Sequence, residues 1–207
     1  MTTATAQAPR SPADFQESAL ARFLFSDGRA AWLWLIVRLY LGYEWLTAGW
    51  GKVADPAWSG PHAGSALTGF VNAAIVEATG AQPAVQSWYA DFLKVSVLPN
   101  AAIFAHLVAY GELLVGLALI LGALTGIAAF FGIVMNANYL LAGAVSTNPI
   151  LAILAIFLVL AWRNAGWIGL DRWLLPILGT PWQPGGIFRR KAGARSSMVD
   201  TNDAVVS

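Results

Sequence analysis

Four apolar stretches, each long enough to cross a bilayer, constrain this chain more than any other feature of its sequence. A hydrocarbon core needs roughly 20 residues of helix, and the stretches run at about 30–52, 99–122, 125–144 and 149–167. The second opens on Pro99, a favourable first helical position, and the fourth opens on Asn148-Pro149. A glycine-bracketed turn, Gly122 to Gly126, separates the second from the third and predicts a tight hairpin. Charged residues make up only 11% of the chain, against about 25% in a soluble domain. That is too little polar surface to coat a water-soluble fold. The expectation is an all-α, integral membrane four-helix bundle occupying 30–178.

Charge distribution orients it. Arg10, Arg22 and Arg29 precede the first span, and Arg172, Arg189, Arg190, Lys191 and Arg195 follow the fourth. The connection at 53–98 carries Lys94 beside Asp55, Glu77 and Asp91, and Lys52 stands at its edge. The positive-inside rule puts both termini in the cytoplasm and 53–98 outside. Within that outer loop, Val85, Trp88, Tyr89, Phe92 and Leu93 fall on one helical face, and Leu67, Phe70, Val71 and Ala74 form a weaker stripe. Both predict amphipathic helices on the outer surface or over the bundle mouth, the alternative being a separate outer subdomain. Residues 1–29 read as a polar cytoplasmic segment without a cleavable signal, and 179–207 as a disordered tail.

Whole classes of chemistry drop out. There are no cysteines, so this chain is expected to supply no disulfide, thiolate, iron–sulfur or Cys-rich zinc site. The two histidines, His62 and His106, lack metal-ligand spacing. No metal or haem is expected, and a net charge of +1 gives no reason to expect nucleic acid.

Charged groups within a membrane are costly and by default mark function. Here they are Arg38 and Glu44 in the first span, Glu112 in the second and Arg163 in the fourth, with Asn136 and Asn138 in the third. At about 1.5 Å per residue, Arg38 lies roughly 12 Å from its inner end, Glu112 and Asn136 roughly 15–17 Å, and Asn138 and Glu44 roughly 20 Å. These depths predict one polar layer at mid-membrane. Arg38 shares a face with Leu41, Gly42, Trp45, Gly49 and Lys52, while Glu44 points about 120° away; Arg38 is therefore expected to meet Glu112. Such a pair would serve as a structural lock or as a functional group. Asn136, on a stripe with Ala129 and Gly132, suits close helix packing, and Asn138 points the opposite way. Arg163 is placed to snorkel to the inner interface. His106 suits an interhelical hydrogen bond, and Lys52, Lys94 and His62 could form a collar for a small anion.

The stretches RLYLGYEWLTAGWGK (38–52), WYADFL (88–93), VLPNAAIFAHLVAYGELLVG (97–116), NANYLLAGAVSTNP (136–149) and GLDRWLLP (169–176) resemble the DoxX family, and within it the DoxD-like branch. That resemblance implies a subunit of a thiosulfate:quinone oxidoreductase, which oxidises thiosulfate to tetrathionate and passes electrons to membrane quinone. It also implies a small second subunit as partner. In that setting Arg38, Glu44 and Glu112 become candidate catalytic or proton-exchanging groups. Tyr43, Trp45, Trp50, Lys52, His106, Asn136 and Asn138 become candidate quinone or substrate contacts. A non-catalytic scaffold in a redox complex, a homo-oligomer and a small-molecule carrier are the competing expectations.

Overall fold

The computed structural model describes residues 18–180 and 183–186, whose regular secondary structure is almost entirely helical. A short helix α1 (Ala19–Ser26) precedes the long α2 (Ala31–Ala54). The connection that follows holds α3 (Ser65–Glu77) and α4 (Ser87–Phe92). Next come α5 (Ala101–Leu121), α6 (Thr125–Leu141), α7 (Asn148–Leu160), α8 (Trp162–Ala165) and α9 (Asp171–Leu178). Two residue pairs, Gly179–Thr180 and Gln183–Pro184, join as a minimal antiparallel ladder β1–β2. The proposed disordered tail is thus ordered as far as 180; most of its remainder lies outside the described residues.

Helices α2, α5, α6 and α7 fall on the four apolar stretches and close a ring, α2 on α5, α5 on α6, α6 on α7 and α7 on α2. Among the described residues, one continuous helical run, Ser87–Leu121, is long and apolar enough to cross a membrane, while α6 and α7 are apolar but shorter. Leu41, Trp45, Val115, Leu119, Ala129 and Leu158 belong to the core at the centre of the ring. Large apolar side chains face outward: Ile103, Leu107, Leu114 and Leu117 on α5, Phe130 and Phe131 on α6, Ile150 and Ile153 on α7. Arg38, Glu112 and Asn136 are buried. Burial of Arg38 and Glu112 is unusual, because arginine and glutamate are almost never fully buried unless paired.

Glycine sets the closest contact. A Cβ on Gly42 would lie 2.8 Å from Ile120 Cγ1, and one on Gly49 would lie 2.7 Å from Leu113 Cα. On the facing helix, a Cβ on Gly116 would run into the backbone of Leu46. These contacts descend α5 as they climb α2, so the two helices run antiparallel with their backbones touching. Gly49→Ala is therefore expected to destabilise by about 1–3 kcal/mol through overpacking. Gly51→Ala, which meets nothing within 4 Å, should be neutral or stabilise by up to about 1 kcal/mol. Paired thermal-unfolding curves check this difference.

The 53–98 connection folds over one end of the ring. Leu67, Val71, Val85, Tyr89 and Leu93 make a second core with Ala105 of α5 and Ala142 beyond α6. This is a cap on the bundle mouth and not a separate subdomain. Trp88 and Phe92 turn outward from the predicted stripe. Pro99 does not start a helix, because the run from Ser87 continues through a π-turn, Leu93–Val97, and a 3-10 turn, Leu98–Asn100. Leu98 N–H donates to Leu93 O, an i to i−5 bond. The widened turn leaves the N–H-less Pro99 in register, where a regular α-helix would be broken.

Candidate functional site

Two polar clusters, one at each end of the ring, replace the single mid-depth layer. At the capped end Gly49 brings α2 onto α5 beside Glu112, and Lys52, nearly one turn further along, reaches across. Lys52 Nζ lies 2.6 Å from Glu112 Oε2, and Tyr139 of α6 donates its hydroxyl hydrogen bond to Glu112 Oε1. The Lys52 ammonium also sits 5.3 Å from the Trp58 ring centroid and 5.9 Å from that of Tyr139. Phe70 of the cap packs edge-on against Tyr139. Glu112 is 1% exposed and Lys52 is 21% exposed, so the cluster opens on its lysine side.

Arg38 does not meet Glu112. It is fourteen residues from Lys52 along α2, about 21 Å at the helical rise, and belongs to the other end. There its Nη2 donates to Ile168 O at 2.7 Å. Nε and Nη1 have no hydrogen-bond partner. Asp171 attracts Arg38 at longer range without forming an ion pair; its two carboxylate oxygens accept from Leu124 N (2.5 Å) and Thr125 N (2.8 Å). Asp171 thus caps the start of α6 from a distant part of the chain, satisfying amides that a helix start leaves unpaired. Gly122, at φ +64°, has no room for a Cβ because Arg38 Nη1 occupies that space. The mid-depth expectation failed because helical rise locates the Cα, whereas Arg38 extends its charge to the helix end and Glu112 is met by a lysine from the opposite end of α2.

Between the clusters lie groups with spare hydrogen-bonding capacity. Asn136, fully buried and one turn before Tyr139, has neither Nδ2 nor Oδ1 partnered, and the buried Trp45 Nε1 is also unpaired. A Cβ on Gly132, one turn before Asn136, would lie 3.3 Å from that indole nitrogen. The two orphan groups therefore share one face of α6. Asn136 packs as predicted but hydrogen-bonds nothing among the described residues.

The remaining candidates scatter. Glu44 is half-buried and in no ion pair among the described residues. Tyr43 and Trp50 are exposed on the outer surface. His106 Nδ1 bonds within its own helix to Ala102 O at 2.6 Å, not across helices. Asn138 is exposed on the opposite side of α6 from Asn136, as predicted, and accepts from Tyr89 Oη at 3.1 Å. Lys94 is loosely paired with Asp91 and His62 is exposed, so of the supposed collar only Lys52 enters the site. Beside the cluster runs an apolar groove of about 500 Å3, lined by Leu46, Thr47, Trp50, Gly51, Leu113 and Leu117. Its Leu113 and Gly51 are chain neighbours of Glu112 and Lys52.

Sequence reasoning missed Tyr139 and Asp171 as site residues. Both stand within motifs, NANYLL and GLDRWLLP, but no periodicity aims them at Glu112 or Arg38. It also missed α1, although Leu20, Phe23 and Leu24 form an i, i+3, i+4 stripe behind the N-cap Ser18. Among the described residues no group of three metal-ligating side chains comes together. A family model described as DoxX matches residues 33–143, just over half of the chain. No curated protein and no solved structure matches it.

Proposed function

This chain belongs to the DoxX family, and on that premise we propose that it is a multi-pass membrane subunit of a quinone-linked oxidoreductase, with thiosulfate as donor. The observation that carries the reading is the buried Lys52–Glu112–Tyr139 cluster. An ionised carboxylate inside an apolar bundle costs several kcal/mol of desolvation before pairing offsets it, and its depth marks it as functional by default. The outward apolar surface of α5, α6 and α7 supports a bilayer setting. Arg22, Arg29, Arg163 and Arg172 all lie near the uncapped end, which supports a cytoplasmic position for it and an outside position for the cap.

In that orientation the cluster lies towards the outer side, and Lys52 offers a cation to a thiosulfate dianion arriving beneath the cap. The groove at Trp50 and Leu113 is open to lipid and within the usual size of small-molecule sites, about 300–1,000 Å3; it suits a quinone ring. Two thiosulfates joining as tetrathionate release two electrons, and the quinone takes up those electrons and two protons. Glu112 and Tyr139 are the groups placed to hold and pass a proton. A second reading is also favoured by a specific observation: both Glu112 oxygens are engaged, as in a lock joining α2, α5 and α6 within a non-catalytic scaffold.

The test is reduction of a soluble quinone analogue by thiosulfate, followed optically, with the protein reconstituted in lipid. The expected result is quinol formation matched one-for-one by tetrathionate. No turnover, even with native membranes added back, and no quinone copurifying with the protein would discard the oxidoreductase reading.

A further inference from the structure

We infer that the uncapped end of the bundle carries a binding site for a phosphate-bearing anion, and that its occupant is the headgroup of an anionic phospholipid. The inference rests on the membrane reading proposed above but not on the oxidoreductase activity. A pocket of about 410 Å3 lies between α8, Trp167, α9 and the residues of the β1–β2 segment, Gly179, Thr180, Gly185 and Gly186. Arg163 and Arg172 both line it, both are exposed, and neither is in an ion pair among the described residues. Arg172 lies over the Trp167 ring at 5.6 Å and Arg163 over Trp162 at 5.5 Å. Aromatic stacking limits the motion of a guanidinium while leaving its N–H edge free for a phosphate, which it matches bidentately.

Asp171 also lines the pocket and would repel an anion if its charge stood alone. Its two oxygens are engaged by the Leu124 and Thr125 amides, and the buried Arg38 offsets part of its charge. The two outer arginines are therefore left as net positive charge. Lipid is favoured over a soluble phosphate by what adjoins the pocket. Trp167, Leu175 and Pro176 line it beside the arginines, an apolar wall that suits the upper acyl chains, with the arginines at headgroup level. Basic pockets at the cytoplasmic ends of membrane helices hold anionic headgroups in this manner.

Native mass spectrometry of the detergent-solubilised full chain tests this, with phosphatidylglycerol, phosphatidylcholine and inorganic phosphate as probes. Phosphatidylglycerol is expected to be retained and phosphatidylcholine not, with inorganic phosphate competing only weakly. Arg163→Gln or Arg172→Gln should weaken retention roughly fivefold, and the double variant roughly thirtyfold. Arg172→Lys should recover part of the loss. Unchanged retention in a double variant that keeps wild-type helicity by circular dichroism would overturn the site. So would equal retention of phosphatidylcholine. Inorganic phosphate binding as tightly as the lipid would overturn the lipid assignment. Carbonate extraction of membranes separates the premise: release of the wild-type chain into the supernatant refutes the membrane reading, whatever the arginine variants do.

Discussion

Asp171→Ala is expected to cost about 2–4 kcal/mol, because it leaves two helix-start amides unpaired and removes an attractive charge from the buried Arg38. The carboxylate does two things at once. It accepts from Leu124 N and Thr125 N at the start of α6, and its charge attracts Arg38 without forming an ion pair with it. Arg38 is 2% exposed and already makes only one hydrogen bond, to Ile168 O. Thermal or denaturant unfolding measures the loss. Arg38→Met in the same background should recover part of it, because the uncompensated charge is then gone. A loss no larger than about 1 kcal/mol, the ordinary cost of a missing cap, would mean that Arg38 does not depend on Asp171.

Glu112→Gln is expected to behave differently. Thiosulfate-driven quinone reduction should fall about 10²–10⁴-fold, the usual contribution of a general acid–base group. The stability loss should stay at about 1–3 kcal/mol. Glutamine keeps the volume and can still accept from Tyr139. Lys52, partly exposed and flanked by the Trp58 ring, can turn its ammonium towards the cap. Turnover lost with the fold retained identifies a functional carboxylate. Turnover retained, or turnover and folding lost together, identifies the lock.

The contrast between these two carboxylates shows what a linear sequence conveys. Apolar periodicity was sufficient to predict which face of α2 is buried: Leu41, Gly42, Trp45 and Gly49 lie inward beside Arg38, as their spacing requires. The opposed directions of Asn136 and Asn138, and the helices of the cap, follow from the same rule. The family was legible too, since its motifs are contiguous and keep their order. Pairing across helices was not. A helical rise fixes how far along its own axis each Cα lies, but not which way a long side chain extends or what another helix brings to meet it. Asp171 shows no sign of its role locally, because the amides it caps lie 46 and 47 residues away in the chain.

The sequence by itself therefore determined the all-helical class, the positions of the four apolar helices and the burial of charge, because local periodicity and composition carry that information. Only the tertiary structure decided that the charge divides into Lys52–Glu112–Tyr139 at one end and Arg38–Asp171 at the other. That division depends on the antiparallel register of α2 on α5, which their glycines permit and which no single helix contains.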